Sequence, residues 1–244
     1  MNEVQIARVN TPPGLRATER TPMATAITPA SLPYPARLTI DYPAKLDRVS
    51  TLFRLIWAIP IFVILGLLTA TASDTVTVIT DSGQVVSRIT TTGLGIAGGL
   101  FVATMLMIVF RQRYPRWWFD FSLALSRFSN RVGAYLGLLT DKYPSTESEQ
   151  SVHLDFDYPD VKGQLSRFLP LVKWLLAIPH YVVLAVLGVG AVFAILIAWF
   201  AILITGRYPR ALFDYVVGVG RWALRVQAYA TLLITDRYPP FSLR

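Results

Sequence analysis

The chain contains no cysteine, and only two of its 244 residues are histidine. The first absence excludes disulfides, zinc–thiolate sites, iron–sulfur clusters and thiol nucleophiles. Charge is scarce as well. Asp, Glu, Lys and Arg make up 16% of the residues, against about 25% in an ordinary soluble domain. The chain therefore lacks the polar surface to meet water on every side. No Asp, Glu or Lys falls in the middle of a long apolar run, which argues against a proton- or ion-coupled transporter. There is no Walker-type phosphate loop, zinc motif or Ser/His/Asp constellation. Residues 1–36 lack the apolar core and small-residue cleavage site of a signal peptide.

What is present is apolar and basic. Hydrophobic residues reach 53%, and the formal net charge is +8. A basic excess suits nucleic acid or an anionic membrane surface. The long apolar runs select the membrane, and no nucleic-acid partner is expected.

The chain also repeats itself. Leu38–Pro43 (LTIDYP) matches Leu154–Pro159 (LDFDYP), Arg113–Arg116 (RYPR) matches Arg207–Arg210, and Arg131–Tyr135 matches Arg225–Tyr229. A repeat of this length is a unit of architecture. It divides the chain into a proline-rich tail (1–36), a first membrane repeat (37–148) and a second (149–244). The tail carries six prolines among Thr, Ala and Arg, too little apolar surface to offset its ordering entropy, so it is expected to be disordered.

Four apolar runs, about Leu52–Leu68, Leu94–Phe110, Leu171–Leu187 and Val189–Thr205, approach the ~17–25 residues that cross hydrocarbon. The last two nearly merge. Gly188-Val189-Gly190 is expected to turn the chain between them, because one helix through both would outrun the bilayer. Pro60 and Pro179 sit at equivalent places and are expected to bend their helices. The expected fold class is an all-α integral membrane protein: a tandem repeat of two-helix transmembrane hairpins, four spans in all. Basic residues flank the runs, whereas the loop between the first two holds only Asp74, Asp81 and Arg88. Both termini are therefore expected in the cytoplasm.

The Ala-Ile-Pro motifs at 58–60 and 177–179 lie 119 positions apart, and the Arg-Tyr-Pro-Arg motifs 94 apart. The first copy thus carries an insert of 25 residues, about Thr69–Thr92. Its β-branched alternation around Asp-Ser-Gly predicts an extramembrane β-hairpin. Such a hairpin is marginal alone, and with the tail it is a candidate contact for a protein partner. Two further strands are expected at LTIDYP and HLDFDYP, pairing across the pseudo-axis.

Each hairpin leads into an apolar helix with a charged stripe. Asp120, Arg127 and Arg131 recur as Asp214, Arg221 and Arg225, at spacings that share one helix face. Arg116 with Asp120, and Arg210 with Asp214, can pair four residues apart. Charges mid-span would cost roughly 2.5–3.5 kcal/mol each, so these helices are expected to lie in the interface. Trp117, Trp118 and Trp222 suit headgroup level. Arg116, Arg127, Arg131, Arg210, Arg221 and Arg225, with those tryptophans, are the candidate anionic-lipid contacts. The plainer reading is that these charges pair with one another or cap neighbouring helices. Seven of the eleven tyrosines precede proline and read as punctuation between elements.

The repeated RYPR…FD…R…RV.AY…LLTD.YP pattern resembles a bacterial membrane-protein family catalogued as domain of unknown function 4389, in two copies over about 37–244. Arg207–Arg210, Phe213-Asp214, Arg221-Trp222, Arg225-Val226, Ala228-Tyr229 and Asp236–Phe241 carry the likeness. The first copy departs from it at Ile61 and Ser145, where the second has His180 and Pro240. The resemblance implies a bacterial inner-membrane setting and supplies no activity, cofactor or catalytic residue.

His180 lies inside the third run. An intramembrane histidine is a candidate haem or pigment ligand, although no second ligand lies at that depth, and a hydrogen-bonded packing role is the alternative. The function expected is that of a non-enzymatic accessory or scaffolding subunit of a larger membrane complex, with lipid and protein partners. The alternatives are a small channel or lipid-handling transporter, and a haem- or pigment-binding subunit through His180.

Overall fold

Two strands far apart in sequence set the frame. In the computed structural model, which describes residues 33–69, 72–79, 85–92, 95–146, 148 and 150–244, β1 (Ala36–Ile40) pairs antiparallel with β4 (Val152–Phe156), Leu38 facing Leu154. Alternation decides which face is buried: Ala36, Leu38, Val152, Leu154 and Phe156 point into the core and their neighbours point out. Between these strands lie α1 (Arg48–Trp57), α2 (Ile59–Thr69), the hairpin β2 (Ala72–Ile79) and β3 (Val85–Thr92), α3 (Gly95–Leu106) with a π-helical turn at Met107–Arg111, and α4 (Arg116–Leu136). After β4 come α5 (Pro170–Leu176), α6 (Ile178–Thr205) and α7 (Arg210–Ala230). Residues 1–32 of the expected tail lie outside the described residues. Tyr34 and Ala36, assigned to that tail by composition, belong to the ordered fold: Tyr34 donates to the Arg237 carbonyl at 3.0 Å, and Ala36 opens β1.

The sheet is covered crosswise. The first strand packs on α7 and the second on α4. One core joins Leu38, Leu154 and Phe156 with Phe119 and Ala134 of α4 and Phe213, Val217 and Leu224 of α7.

The four expected spans are not formed. Among the described residues, one helix, α6, is long and apolar enough to cross a membrane. The first run breaks at Ala58 into α1 and α2, and the third breaks at the matching Ala177, between α5 and α6. Proline is the cause. Pro60 and Pro179 have no N–H to offer the carbonyls of Ile56 and Leu175, and their rings crowd those oxygens. Flanking bonds survive, Phe62 N–H to Ala58 at 2.9 Å and Tyr181 N–H to Ala177 at 3.0 Å. The second run, as α3, is helical only to Leu106 before its π-turn.

The expected turn at Gly188-Val189-Gly190 is likewise absent. Those residues lie inside α6, so the third and fourth runs share one helix of 28 residues. Two glycines cost about 1 kcal/mol each in a helix, too little to stop one flanked on both sides by apolar residues. Gly190 serves a close approach instead. A Cβ there would fall 2.5 Å from the Tyr215 hydroxyl, which donates to the Leu187 carbonyl at 2.9 Å. The helix ends at Gly206, whose φ of 70° is a conformation that a side chain resists.

Candidate functional site

Helices α4 and α7 start alike, after Pro115 and Pro209 in extended conformation, as proline's fixed φ favours. Their arginine stripes turn inward, to backbone oxygens. Arg127 Nε donates to the Leu154 carbonyl of β4 at 2.9 Å, and Arg221 Nε donates to the Leu38 carbonyl of β1 at 2.9 Å. Each helix thus holds the strand that belongs, by sequence, to the other copy. Arg131 Nη1 donates to the Ser145 carbonyl at 2.6 Å, and Arg225 Nη2 to those of Ser242 and Arg244 at 2.8 and 2.7 Å. Both are buried. Burial pulls the Arg225 guanidinium below its ordinary pKa, and Arg221 adds to this while Tyr34 opposes it. A guanidinium directed at carbonyls is a charge-assisted clamp; Arg131 and Arg225 are buried in theirs, whereas Arg127 keeps 43% of its side chain exposed.

Arg116 and Arg210 remain exposed. Arg116 pairs with Asp120 at 3.6 Å and lies over the Tyr158 ring at 4.8 Å. Arg210 pairs with Asp214 at 3.2 Å and lies over the Tyr42 ring at 4.5 Å. The tyrosines complete the crosswise pattern, the Tyr42 hydroxyl donating to the Tyr208 carbonyl and that of Tyr158 to the Tyr114 carbonyl. Two of the Tyr-Pro pairs are therefore joints between copies. Trp117 is 67% exposed. Trp118 donates to the Thr104 hydroxyl at 2.8 Å, and Trp222 is buried. The proposed lipid set therefore divides: Arg116, Arg210 and Trp117 face outward, and the others hold the fold.

Two buried cations escaped sequence reasoning, which counted them only as basic flanks. Lys173 is fully buried. Its Nζ lies 2.7 Å from Asp236 Oδ1 and donates to the Thr235 carbonyl at 2.8 Å. Arg54, 2% exposed, donates to the Tyr135 and Thr140 carbonyls at 2.7 and 3.0 Å and pairs with Asp141. Burial lowers the pKa of both cations, opposed by the facing carboxylates. The signal was available: a cation four residues before each Ala-Ile-Pro and a Thr-Asp-x-Tyr-Pro motif both recur. Only the repeat connects them, because nothing local says that they meet.

His180 is fully buried. Its Nδ1 accepts from the Trp222 indole N–H at 3.1 Å, so in neutral imidazole the proton sits on Nε2, which has no partner. The ring stacks on Phe241 at 4.0 Å and tilts against Tyr238 at 4.7 Å. A haem or chlorin would have to displace those rings, and the residues around His180 do not fit one. In the first copy Ile61 and Phe128 occupy the matching places and pack in one cluster. Among the described residues no group of three His, Asp or Glu is placed to hold a metal.

A family model described as "Domain of unknown function (DUF4389)" matches residues 170–242, which run from α5 to the segment after α7. The match takes in the Lys173–Asp236 pair, His180 and the α7 stripe. It covers less than half of the chain and one copy of the repeat. No curated protein and no solved structure matches the chain.

Proposed function

We propose that the protein is a non-enzymatic, membrane-bound accessory or scaffolding subunit of a larger bacterial membrane assembly, built from two copies of one unit. The observation that carries this reading is α6: 28 residues without a charge, only 17% of its most apolar stretch buried. Leu55, Ile56, Trp57, Ile59, Phe62 and Val63 of α1 and α2 are exposed as well. Apolar surface on this scale calls for lipid or protein against it. The described arginine stripes are used to hold strands and tails, which suits a frame better than a catalyst. Arg116, Arg210 and Trp117 are the outward contacts that would meet anionic headgroups. The tandem reading is supported by the crosswise contacts, each of which has its counterpart in the other copy. Mild detergent extraction of the native membrane, with mass spectrometry of what stays bound, tests the role. A defined set of co-purifying proteins is expected, and a protein extracted alone at every detergent strength would contradict it.

A lipid-handling role is the second reading. It is favoured by a cavity of about 670 Å3 between α3, α4, α6 and α7, lined by Phe101, Ser122, Ser126, Tyr181, Val226 and others without a charge among them. Ligand pockets commonly have this size. Transfer of a fluorescent neutral lipid between vesicles tests it, and no acceleration over the spontaneous rate would exclude it.

A further inference from the structure

The stripes that sequence offered to lipid point inward, yet a different set of cations converges on a concavity. Where the π-helical turn ends and α4 begins, a cavity of about 650 Å3 is lined by Arg111, Arg113, Arg116 and Lys162, with Tyr158 at its wall and one carboxylate, Asp160. Four cations against one anion leave a formal +3. Asp160 is already engaged, its Oδ1 accepting from the Gly163 N–H at 3.1 Å. Arg116 is shared with Asp120. Arg111, Arg113 and Lys162 make no ion pair among the described residues. A cavity lined by four cations and one carboxylate carries a positive potential, which favours an anion there. The first turn of α4 brings neither an acidic residue nor a side-chain cap to compete.

We infer that this cavity binds the phosphate of an anionic phospholipid headgroup. Guanidinium and ammonium groups match phosphate oxygens in charge and hydrogen bonding. The residues that adjoin the lining in sequence favour lipid as the source. Phe110 is 76% exposed, and Leu106 and Trp117 stand exposed on the same elements, the end of α3 and the start of α4. Apolar side chains beside unpaired cations are the arrangement of an interface that takes a headgroup and its chains together. The site is composite, with Arg111, Arg113 and Arg116 from the first copy and Tyr158, Asp160 and Lys162 from the second. At the positions that match across the repeat stand Thr205 for Arg111, Leu46 for Lys162 and Ala44 for Asp160, so the counterpart lacks these charges. The inference rests on the membrane-bound reading and adds a lipid preference to it.

Flotation of the full-length protein with vesicles separates the two. Neutral phosphatidylcholine vesicles report membrane binding as such, and vesicles enriched in phosphatidylglycerol report the headgroup site. The variant Arg111→Gln/Arg113→Gln/Lys162→Gln is compared with Lys45→Gln/Lys142→Gln/Arg207→Gln, which removes the same charge from exposed positions elsewhere. The inference expects the first variant to lose about ten-fold or more of the preference for anionic vesicles, while binding to neutral vesicles and the melting temperature stay unchanged. The second variant should lose several-fold less. Equal losses in the two variants would mean diffuse surface charge and overturn the site. Millimolar inorganic phosphate abolishing the preference would overturn lipid as the source. If the intact protein fails to float with neutral vesicles, the membrane-bound reading fails, whatever the anionic arm shows.

Discussion

The two halves that the matching sequence motifs mark out share their joints and differ in what they carry. Arg54 with Asp141 in the first, and Lys173 with Asp236 in the second, tie the start of an apolar run to the segment that follows the long amphipathic helix. Beyond that joint the copies part. The first continues into α2, the β2–β3 hairpin and the shorter α3, and the second into one 28-residue helix. The joint therefore does not depend on the length or form of the apolar segment beyond it, and that segment is free to diverge. The copies differ also in how dry the joint is: the side chain of Asp236 is 16% exposed and that of Asp141 28%.

That difference yields the largest expected effect. Lys173→Met leaves Asp236 without its cation in a buried place and should cost about 3–5 kcal/mol. Arg54→Met should cost less, because water reaches Asp141 more readily. Thermal unfolding in detergent measures both. Lys173→Met combined with Asp236→Leu should recover much of the loss, since an apolar pair leaves no buried charge. Equal costs for the two single variants would erase the distinction between the joints.

The crosswise clamps come next. Arg221→Ala removes a charge-assisted bond to the Leu38 carbonyl and should cost about 1.5–3 kcal/mol, and Arg127→Ala should match it at Leu154. Hydrogen exchange should quicken in β1 and β4 together in either variant, because each strand is the other's partner. Acceleration confined to one strand would show the sheet to be less cooperative than this.

A smaller contrast separates two tyrosines. The Tyr114 hydroxyl donates to the Leu232 carbonyl at 3.2 Å, whereas that of Tyr208 is buried without a partner. Tyr114→Phe should cost about 1 kcal/mol and Tyr208→Phe should be neutral or stabilising. Burial pushes the Tyr114 phenol up from 10.0 to about 12. A raised folded-state pKa gives stability that is whole below the unfolded value and lost as pH rises through the folded one. Denaturant midpoints should therefore fall between pH 10 and 12, and less so in Tyr114→Phe. A flat profile over that window would contradict the burial of this ring.

Much of this was legible. Alternation marked β1 and β4, the β-branched insert marked β2 and β3, and the RYPR motifs marked the starts of α4 and α7. The apolar runs were harder. Inside a uniformly apolar stretch there is no periodicity to separate a helix from a hairpin, and a glycine pair reads equally as a turn or as a place where another element comes close. The targets of the arginines were hidden for another reason. A stripe on a helix says that the charges share a face, not that a strand from the other copy lies beneath it. The smallest expected effect addresses the glycines. A Cβ at Gly188 meets nothing within 4 Å, whereas one at Gly190 meets Tyr215. Gly188→Ala should stabilise by up to about 1 kcal/mol, as alanine does within a helix, and Gly190→Ala should not. Destabilisation by Gly188→Ala would favour a turn there.

The most direct measurement is oxygen accessibility of spin labels placed singly along α6 in vesicles, which the absence of native cysteine makes clean. An unbroken lipid-exposed helix predicts high values at Val182, Val186, Val189, Phe193, Phe200 and Ile204, and low values at Ala191, Ala194, Ala198 and Ile202. The 3.6-residue period should run without interruption through Gly188-Val189-Gly190. A water-accessible break at those three residues, or uniformly low oxygen accessibility along the helix, would contradict the account.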